Sequence, residues 1–147
     1  MEGPSELVKQ VTKICESVPS LIDTSLCYSE YCYQQLIRQL LTGAGLNCET
    51  EAPVYFKTKG QNPLNFGWGK IDVLVRGEKE LVIIELKANV RPNIQQHMGQ
   101  LSRYMEHRHE DATGILCYFH GWDSDVHHYI LESRKSLPLS SVTLAPC

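Results

Sequence analysis

The chain has 147 residues, of which 42% are hydrophobic and 21% are charged, and its formal net charge at pH 7 is -3. This length and composition predict a single globular domain over residues 1–147 and exclude collagen-like, low-complexity and intrinsically disordered classes. A nucleic-acid-binding protein more often has a basic surplus, so such a function would need a local basic surface.

The sequence contains no signal for a membrane or for secretion. The purely apolar runs, such as Leu81 to Ile84, are too short to span a bilayer. Residues 1–11 mix charged and polar side chains without the apolar segment of a secretory signal. The six cysteines form no C-x-x-C pair. We therefore expect an intracellular protein, cytoplasmic or nuclear and not secreted, with reduced thiols.

Hydrophobic periodicity predicts helices alternating with strands. The predicted helices cover residues 5–17, 29–41 and 94 to about 109. The predicted strands cover residues 48–57, 71–76, 80–88, 114–119 and 127–131, with a polar loop over residues 58–68. Pro53 indicates that the first strand lies at an edge or contains a bulge. The order of these elements predicts a mixed sheet flanked by helices.

Ionisable residues gather in the predicted hairpin of the second and third strands. Gly77 suits the first central position of a type II′ turn, and in that register Asp72 lies opposite Ile83 and diagonal to Glu85. Lys87 shares the face of Glu85, because strand side chains alternate with a period of two. Diagonal neighbours are roughly 7–8 Å apart, from which two carboxylates can share one cation. The alternative is a solvated strand end with a surface ion pair.

These residues resemble the signature of the PD-(D/E)XK nuclease superfamily. That signature is an acidic residue on one strand and E-x-K on the next, here Asp72, Glu85 and Lys87. Further along, Gln100 and Tyr104 are similar to the Q-x-x-x-Y motif of the RecB-like branch and fall four residues apart on the third predicted helix.

A fourth motif lies upstream. Glu30-Tyr31-Cys32-Tyr33 resembles the E-x-x-Y half of the GxxExxY nuclease-like proteins, although Cys27 stands where their Gly is expected. The resemblance covers about residues 26–120. It implies one PD-(D/E)XK nuclease-like domain with an α/β, restriction-endonuclease-like fold, in which helices flank a mixed β-sheet of about five strands.

The resemblance also implies a metal site. Mg²⁺ or Mn²⁺ prefers oxygen ligands, which Asp72 and Glu85 would supply, with the Leu86 carbonyl as a third candidate. In the family a helical Glu completes the set, which assigns that role to Glu30; the alternative is a favourable interaction of this carboxylate with its helix N-terminus. Lys87 would orient or help to deprotonate the attacking water and offset charge on the phosphorane.

Other residues are expected to support the reaction or to bind nucleic acid. In RecB-like relatives the residues that correspond to Gln100 and Tyr104 help to hold the active-site Lys or the nucleic-acid backbone; the alternative is a helix edge whose Tyr hydroxyl has an unrelated partner. The E-x-x-Y motif adds Tyr33 as a supporting residue. A phosphate-contacting surface, or else only a solvated basic face, could come from Lys57, Lys59, Lys70, Arg91, His97, Arg103, His107 and Arg108.

Two functions from different classes follow. The first is a metal-dependent nuclease that hydrolyses phosphodiester bonds, most readily of DNA, and leaves a 5′-phosphate as the family implies. The second is a non-catalytic module that keeps this fold to bind nucleic acid or a protein partner, which the acidic net charge and small size favour. A homodimer is an open alternative in either case, because relatives of this fold often dimerise and a pair would reach more of a duplex.

Overall fold

The computed structural model describes residues 4–23, 28–57, 66–88, 93–106, 111–119, 127–132 and 141–146. The helices are α1 (Glu6–Ser17), α2 (Glu30–Gly43) and α3 (Ile94–Glu106), and a 3-10 helix, Val18–Leu21, follows α1. The strands are β1 (Asn47–Lys57), β2 (Phe66–Arg76), β3 (Glu80–Ala88), β4 (Asp111–Phe119), β5 (His127–Glu132) and β6 (Ser141–Pro146).

The described strands form one mixed sheet in the order β1-β2-β3-β4-β5-β6. The central pair, β3 and β4, is parallel and is joined through α3, because a parallel pair needs a crossover connection. The neighbouring strands on both sides pair antiparallel. β1 lies at an edge of this sheet, which confirms the edge position predicted from Pro53.

The predicted elements are present with small changes in their bounds. All three helices and all five strands are found, and β6 is an addition. β6 is a short edge strand that gains its hydrogen bonds from β5, so its own sequence pattern gives little warning of it. The loop predicted over residues 58–68 is wrong at its end, because β2 begins at Phe66.

Helices cover both faces of the sheet. On one face, apolar residues of α1 and α2 such as Val11 and Ile37 pack against Val82 and Ile84 of β3. On the other face, Leu101 and neighbouring residues of α3 pack against the alternate residues of the sheet. Because both faces are covered, β3 is buried along nearly its whole length.

Side-chain caps fix where α1 and α2 begin. The Ser5 hydroxyl accepts a hydrogen bond from the Val8 amide at 3.2 Å, and the Ser29 hydroxyl accepts one from the Cys32 amide at 3.2 Å. Such caps satisfy amides that have no partner within the helix. The Ser29 cap places Glu30 at the first position of α2, next to the carboxyl end of β3.

The hairpin of β2 and β3 has a different register from the predicted one. Arg76 pairs with Leu81 and Val73 pairs with Ile84, so continuing this register puts Asp72 opposite Glu85 rather than opposite Ile83. The difference is a slide of two residues along the partner strand. A two-residue slide along a regular strand keeps each side chain on its face, so Glu85 and Lys87 still share the face of β3 that carries Ile83.

The register differs because Gly77 does not occupy the turn position predicted for it. The Gly77 amide donates to the Glu80 carbonyl at 2.8 Å, so the turn residues are Glu78 and Lys79, and neither has a positive φ. A side chain at Gly77 would place its Cβ 2.8 Å from Leu7 Cδ2 of α1. This glycine therefore serves the close packing of α1 on the hairpin and does not form a type II′ turn.

The side-chain alternation of β2 breaks at Asp72. Ile71 and Leu74 both lie in the cluster under α3, whereas Val73 lies in the cluster under α1 and α2. Residues three apart in a regular strand face opposite sides, so the strand is irregular between Ile71 and Leu74. On β1, the residue across from Asp72 is Glu51, which has a left-handed φ of 53°. The irregular backbone at Asp72 and Glu51 lies where the regular pairing of β2 with β3 ends, beyond Val73.

The close approach of α3 to β4 at Gly114 gives a test of this packing. A Cβ there would lie 2.7 Å from both Cγ and Cδ2 of Leu101, so we expect Gly114→Ala to lower the free energy of unfolding by about 1–3 kcal/mol in urea titrations. Leu101→Ala should relieve the overlap, so the double variant should lose less stability than the two single losses added together.

Gly43→Ala is the matched control, because a Cβ at Gly43 meets no atom within 4 Å. We expect no loss of stability from it. Strictly additive effects of the Gly114 and Leu101 substitutions would contradict the packing of α3 described above.

Candidate active site

The site forms where the ladder between β2 and β3 ends. Beyond Val73, the side chain of Asp72 replaces a ladder bond: its Oδ2 accepts a hydrogen bond from the Leu86 amide at 2.7 Å. The freed backbone carbonyl of Asp72 accepts a hydrogen bond from Nε2 of Gln34 on α2 at 2.9 Å. Because buried backbone groups must be paired, these two bonds allow β2 and β3 to separate without an energetic penalty from unpaired groups.

Glu30 reaches the same edge of β3 from α2. Its Oε1 accepts a hydrogen bond from the Ala88 amide at 3.1 Å, one N–H further along the edge than the Leu86 amide that binds Asp72. Amides two residues apart on a strand are about 7 Å apart. The carboxylates of Glu30 and Asp72 are therefore neighbours along the opened edge of β3.

Glu85 is the most deeply buried acidic residue described in the site, with only 3% of its surface exposed. Burial, the charge of Asp72 and a hydrogen bond with Asp72 raise the pKa of Glu85 to about 9, although Lys87 acts in the opposite direction. The Lys87 ammonium lies 3.6 Å from Glu85 Oε1. Within the described part of the chain, the buried Oε2 of Glu85 has no hydrogen-bond partner.

The predicted metal ligands are thus brought together in part. Asp72 and Glu85 are adjacent, and the Leu86 carbonyl leaves β3 on the same side as the amide that binds Asp72, because both groups of a strand residue point to one neighbour. Glu30 stands further along the edge. Among the residues that the structure describes, no group of three or more His, Cys, Asp or Glu side chains is close enough to hold a metal ion.

The donor set nevertheless fits a divalent cation. The buried carboxyl group of Glu85 lies beside Asp72, its Oε2 is unpartnered within the described residues, and the charge of Asp72 raises the cost of charging Glu85. A cation of two positive charges would offset that repulsion and use the unpartnered oxygen. Hard cations prefer oxygen ligands of this kind.

The third predicted motif lies above the site on α3. Gln100 donates from Nε2 to the hydroxyl of Tyr104 at 2.9 Å. Burial raises the pKa of Tyr104; the bond from Gln100 lowers it in part, and the charges of Glu85 and Asp72 raise it further. A Cβ on Gly69 of β2 would lie only 2.8 Å from the Tyr104 hydroxyl oxygen, so this glycine lets β2 pass directly under the Tyr ring.

A surface pocket of about 570 Å³ opens beside this motif. Its lining residues come from α3 and β2 and include three glutamines and an arginine: Gly69, Gln95, Gln96, Gly99, Gln100, Arg103 and Tyr104. The exposed side chain of Arg103 gives the pocket a positive charge. A neutral and cationic lining of this type suits a polar anionic chain better than an apolar ligand.

The remaining predicted residues differ in their positions. Lys70 is exposed on β2, next to the Gly69 end of the pocket. Tyr33 is 1% exposed and stacks on Phe119 with ring centroids 4.2 Å apart, so it packs inside the core and does not reach nucleic acid. Arg91 lies outside the described residues, as do Lys59, His107 and Arg108, and Lys57 is described only as part of β1.

Two polar residues of the site, Gln34 and Tyr118, were not identified from the sequence. A third, His97, was identified only as part of a possible basic surface. Gln34 follows Glu30 by one helical turn and is 6% exposed, a polar residue within the buried stripe of α2. Tyr118 pairs with Lys87 across the parallel strands, and its hydroxyl forms a hydrogen bond with Nδ1 of His97. A spacing of four from Glu30 could have identified Gln34, but nothing local predicts the pairing of Tyr118 with Lys87.

The chain belongs to the PD-(D/E)XK nuclease superfamily, because the family model of that description matches residues 5–128. The match confirms the superfamily predicted from the motifs, and the mixed sheet between helices is the predicted α/β, restriction-endonuclease-like fold. A search of curated proteins and a search of solved structures each found no match. In the described ranges, no helix has both the length and the apolar character needed to cross a bilayer.

The fit of a divalent cation can be tested through stability. We expect Mg²⁺ or Mn²⁺ to raise the melting temperature of the wild type, by the equivalent of about 2.7 kcal/mol at roughly 100-fold excess over Kd, and not that of Glu85→Gln. Without metal, Glu85→Gln should be at least as stable as the wild type, because it removes a buried carboxyl that crowds Asp72. Thermal denaturation with and without metal measures both effects.

Glu78→Gln is the matched control, since Glu78 is exposed in the turn at the other end of β3. This variant should respond to metal as the wild type does. An equal response of the Glu85 variant to metal would contradict a cation site at this carboxyl.

The electrostatics around Lys87 predict the titration of His97. Burial and the neighbouring Lys87 charge lower the pKa of His97 from its usual 6.5, so NMR of the imidazole should give a midpoint below that value. Lys87→Met should raise the midpoint. The pKa in the folded protein is below that in the unfolded chain, so this contribution to stability is present above pH 6.5 and is lost as the pH falls through the folded-state pKa. An unchanged midpoint in the variant would show that Lys87 does not act on His97.

Proposed function

We propose that this protein is a metal-dependent nuclease that hydrolyses phosphodiester bonds of nucleic acid, with DNA as the favoured substrate. The observation that carries the proposal is the buried carboxyl group of Glu85, held between Asp72 and the ammonium of Lys87. A buried ionisable cluster with an unpartnered oxygen costs stability, and such clusters concentrate at functional sites. Membership of the superfamily supports the same function.

The proposed ligands for Mg²⁺ or Mn²⁺ are Asp72, Glu85 and the Leu86 carbonyl, with Glu30 as a further carboxylate along the edge of β3. A divalent cation bound there supplies positive charge to the scissile phosphate and lowers the pKa of a coordinated water. The hydrogen bond between Asp72 and the Leu86 amide holds that carboxylate in one orientation. This restraint would make the ligand set ready before the cation arrives.

Lys87 is proposed to act on the attacking water and on the charge that develops at phosphorus. Its side chain is 19% exposed, so the ammonium is reached by solvent while its stem is packed. The contact with Glu85 at 3.6 Å directs the ammonium toward the acidic cluster. A fixed positive charge in a partly desolvated site stabilises negative charge in a transition state far more than a solvated one does.

The residues of α3 are proposed to guide the nucleic-acid backbone. Gln100 holds the hydroxyl of Tyr104 above Gly69, at the border between the acidic cluster and the pocket that Arg103 lines. Arg103 is an exposed cationic side chain in the lining of this pocket. Lys70 is also exposed, but side chains alternate along a strand, so it faces away from the Gly69 position that contacts Tyr104. The arrangement supports the RecB-like role expected for the Gln and Tyr pair.

The test is cleavage of labelled single-stranded, duplex and branched DNA, and of RNA, with Mg²⁺ or Mn²⁺. Lys87→Met and Asp72→Asn should each lower the cleavage rate about 100-fold or more, because each removes a charge that acts in the transition state. Lys79→Met is the matched control: this Lys is exposed in the turn of the same hairpin, at the other end of β3, and its loss should leave the rate unchanged.

Retention of the full rate by Asp72→Asn would contradict the proposed mechanism. Binding of divalent metal without turnover of any of these substrates would instead favour the non-catalytic module, which binds nucleic acid or a protein partner. Circular dichroism of each variant shows whether a lost activity reflects a lost fold.

Three further properties are proposals that follow from the sequence. The E-x-x-Y motif of α2 supports a relationship to the GxxExxY group, with Tyr33 contributing through its packing in the core. An intracellular location, cytoplasmic or nuclear, is the second of these proposals. A homodimer is the third, because a pair of small domains would contact more of a duplex; analytical ultracentrifugation distinguishes it from a monomer.

A further inference from the structure

A chain of hydrogen bonds runs beside Lys87, outside the acidic cluster. The backbone amide of Asn93, which precedes α3, donates to the hydroxyl oxygen of Tyr118 at 3.2 Å. That hydroxyl also forms a hydrogen bond with Nδ1 of His97 on the first turn of α3, and the two rings meet with centroids 5.4 Å apart. Tyr118 itself is buried, with 4% of its surface exposed.

The donors and acceptors in this chain are compatible with one tautomer of neutral His97. Since the Tyr118 oxygen accepts the proton of the Asn93 amide, its own O–H can be donated to Nδ1 of His97. A neutral imidazole that accepts at one nitrogen carries its proton on the other. In that tautomer the Nε2–H of the half-buried His97 lies on the far side of the ring from Nδ1 and its contact with Tyr118.

The surroundings of His97 favour the neutral imidazole that this pattern of hydrogen bonds requires. Tyr118 is the partner of Lys87 in the parallel ladder of β3 and β4, so their side chains stand about 5 Å apart on the face covered by α3. The positive charge of Lys87 and the partial burial of the ring both lower the pKa of His97. A neutral His97 therefore places no second positive charge next to Lys87.

His97 also continues a polar row on α3. Positions 97, 100 and 104 lie on one side of the helix, because residues three, four and seven apart share a face. Beneath this row, Lys87 acts on the pKa of His97, and the acidic pair Glu85 and Asp72 acts on that of Tyr104. The helix row and the site residues therefore run side by side, with His97 at the Lys87 end.

We propose that His97 donates its Nε2–H to the backbone phosphate adjacent to the scissile one, and that Tyr118 and the Asn93 amide hold the ring in that tautomer. This inference rests on the proposed nuclease function, and it names a further substrate contact of the same site. A phosphate oxygen is the acceptor that fits: the carboxylates occupy the Glu85 side of Lys87, and His97 stands on its α3 side, where a polyanionic backbone leaving the cluster would pass.

Two substitutions of His97 distinguish the role of its Nε2–H from that of the Nδ1 contact with Tyr118. His97→Gln retains an N–H near the position of Nε2, whereas His97→Asn retains a polar group near Nδ1 and loses the outward donor. A hydrogen bond to a charged phosphate predicts a loss of about 10-fold to 100-fold in affinity for His97→Asn and recovery of most of it in His97→Gln. Fluorescence anisotropy with a short labelled oligonucleotide in Ca²⁺ measures the affinity.

The contacted phosphate is identified by neutralising one phosphate at a time. A set of oligonucleotides, each with a single methylphosphonate, should show one position at which the wild type loses affinity and His97→Asn does not. Equal losses for the wild type and His97→Asn at every position would overturn the proposal. So would a pattern in which Asn preserves the affinity and Gln does not, because His97 would then only support Tyr118.

The outcome for His97 is separable from that for the nuclease. A wild type that binds and shows the expected methylphosphonate pattern but cuts nothing in Mg²⁺ or Mn²⁺ supports the His97 contact and contradicts the hydrolysis. A wild type that cuts, with no difference between its pattern and that of His97→Asn, contradicts the His97 contact alone.

Discussion

The hydrogen bond from the Leu86 amide to the Asp72 carboxylate is the interaction on which the site depends. It joins β2 to β3 at the point where their backbone ladder has ended, so the strands separate while their polar groups remain paired. Gln34 satisfies the carbonyl that the separation frees, and Glu30 takes the next amide along β3. The space opened in this way is where Glu85 stands. The bonds to the Leu86 and Ala88 amides and to the Asp72 carbonyl keep these backbone groups paired beside the acidic cluster.

The sequence predicts the face of the sheet that carries the motif, but not its register. Faces follow from the period of two along a regular strand, which holds for Glu85 and Lys87 on β3 but is broken on β2 at Asp72. The register follows from a turn over Glu78 and Lys79 that leaves Gly77 in close contact with Leu7 of α1. That contact joins residues far apart in the chain, so no local turn rule contains it. The backbone irregularity at Asp72 and Glu51 could not be predicted either, because the sequence pattern places both residues in ordinary strands.

The residues on the two sides of Lys87 differ in whether the sequence could predict their place in the site. Glu85 is found by its spacing from Lys87, because both lie on one strand and the chemistry of carboxylate and ammonium is distinctive. Tyr118 and His97 join Lys87 only through the pairing of β3 with β4 and the docking of α3. A residue that acts through a crossover connection has no fixed spacing from its partner, so it is identified only in the folded chain.

The crossover through α3 also has a consequence for the order of folding. The β2 and β3 hairpin closes over a short turn, and its contacts are close in the chain, so the half of the site with Asp72 and Glu85 can form early. The half with His97 and Tyr118 must wait for the longer closure that brings β4 alongside β3. A nascent chain would therefore acquire a place for the cation before it acquires the full path for the nucleic-acid backbone, and competence to bind metal would precede competence to hold substrate.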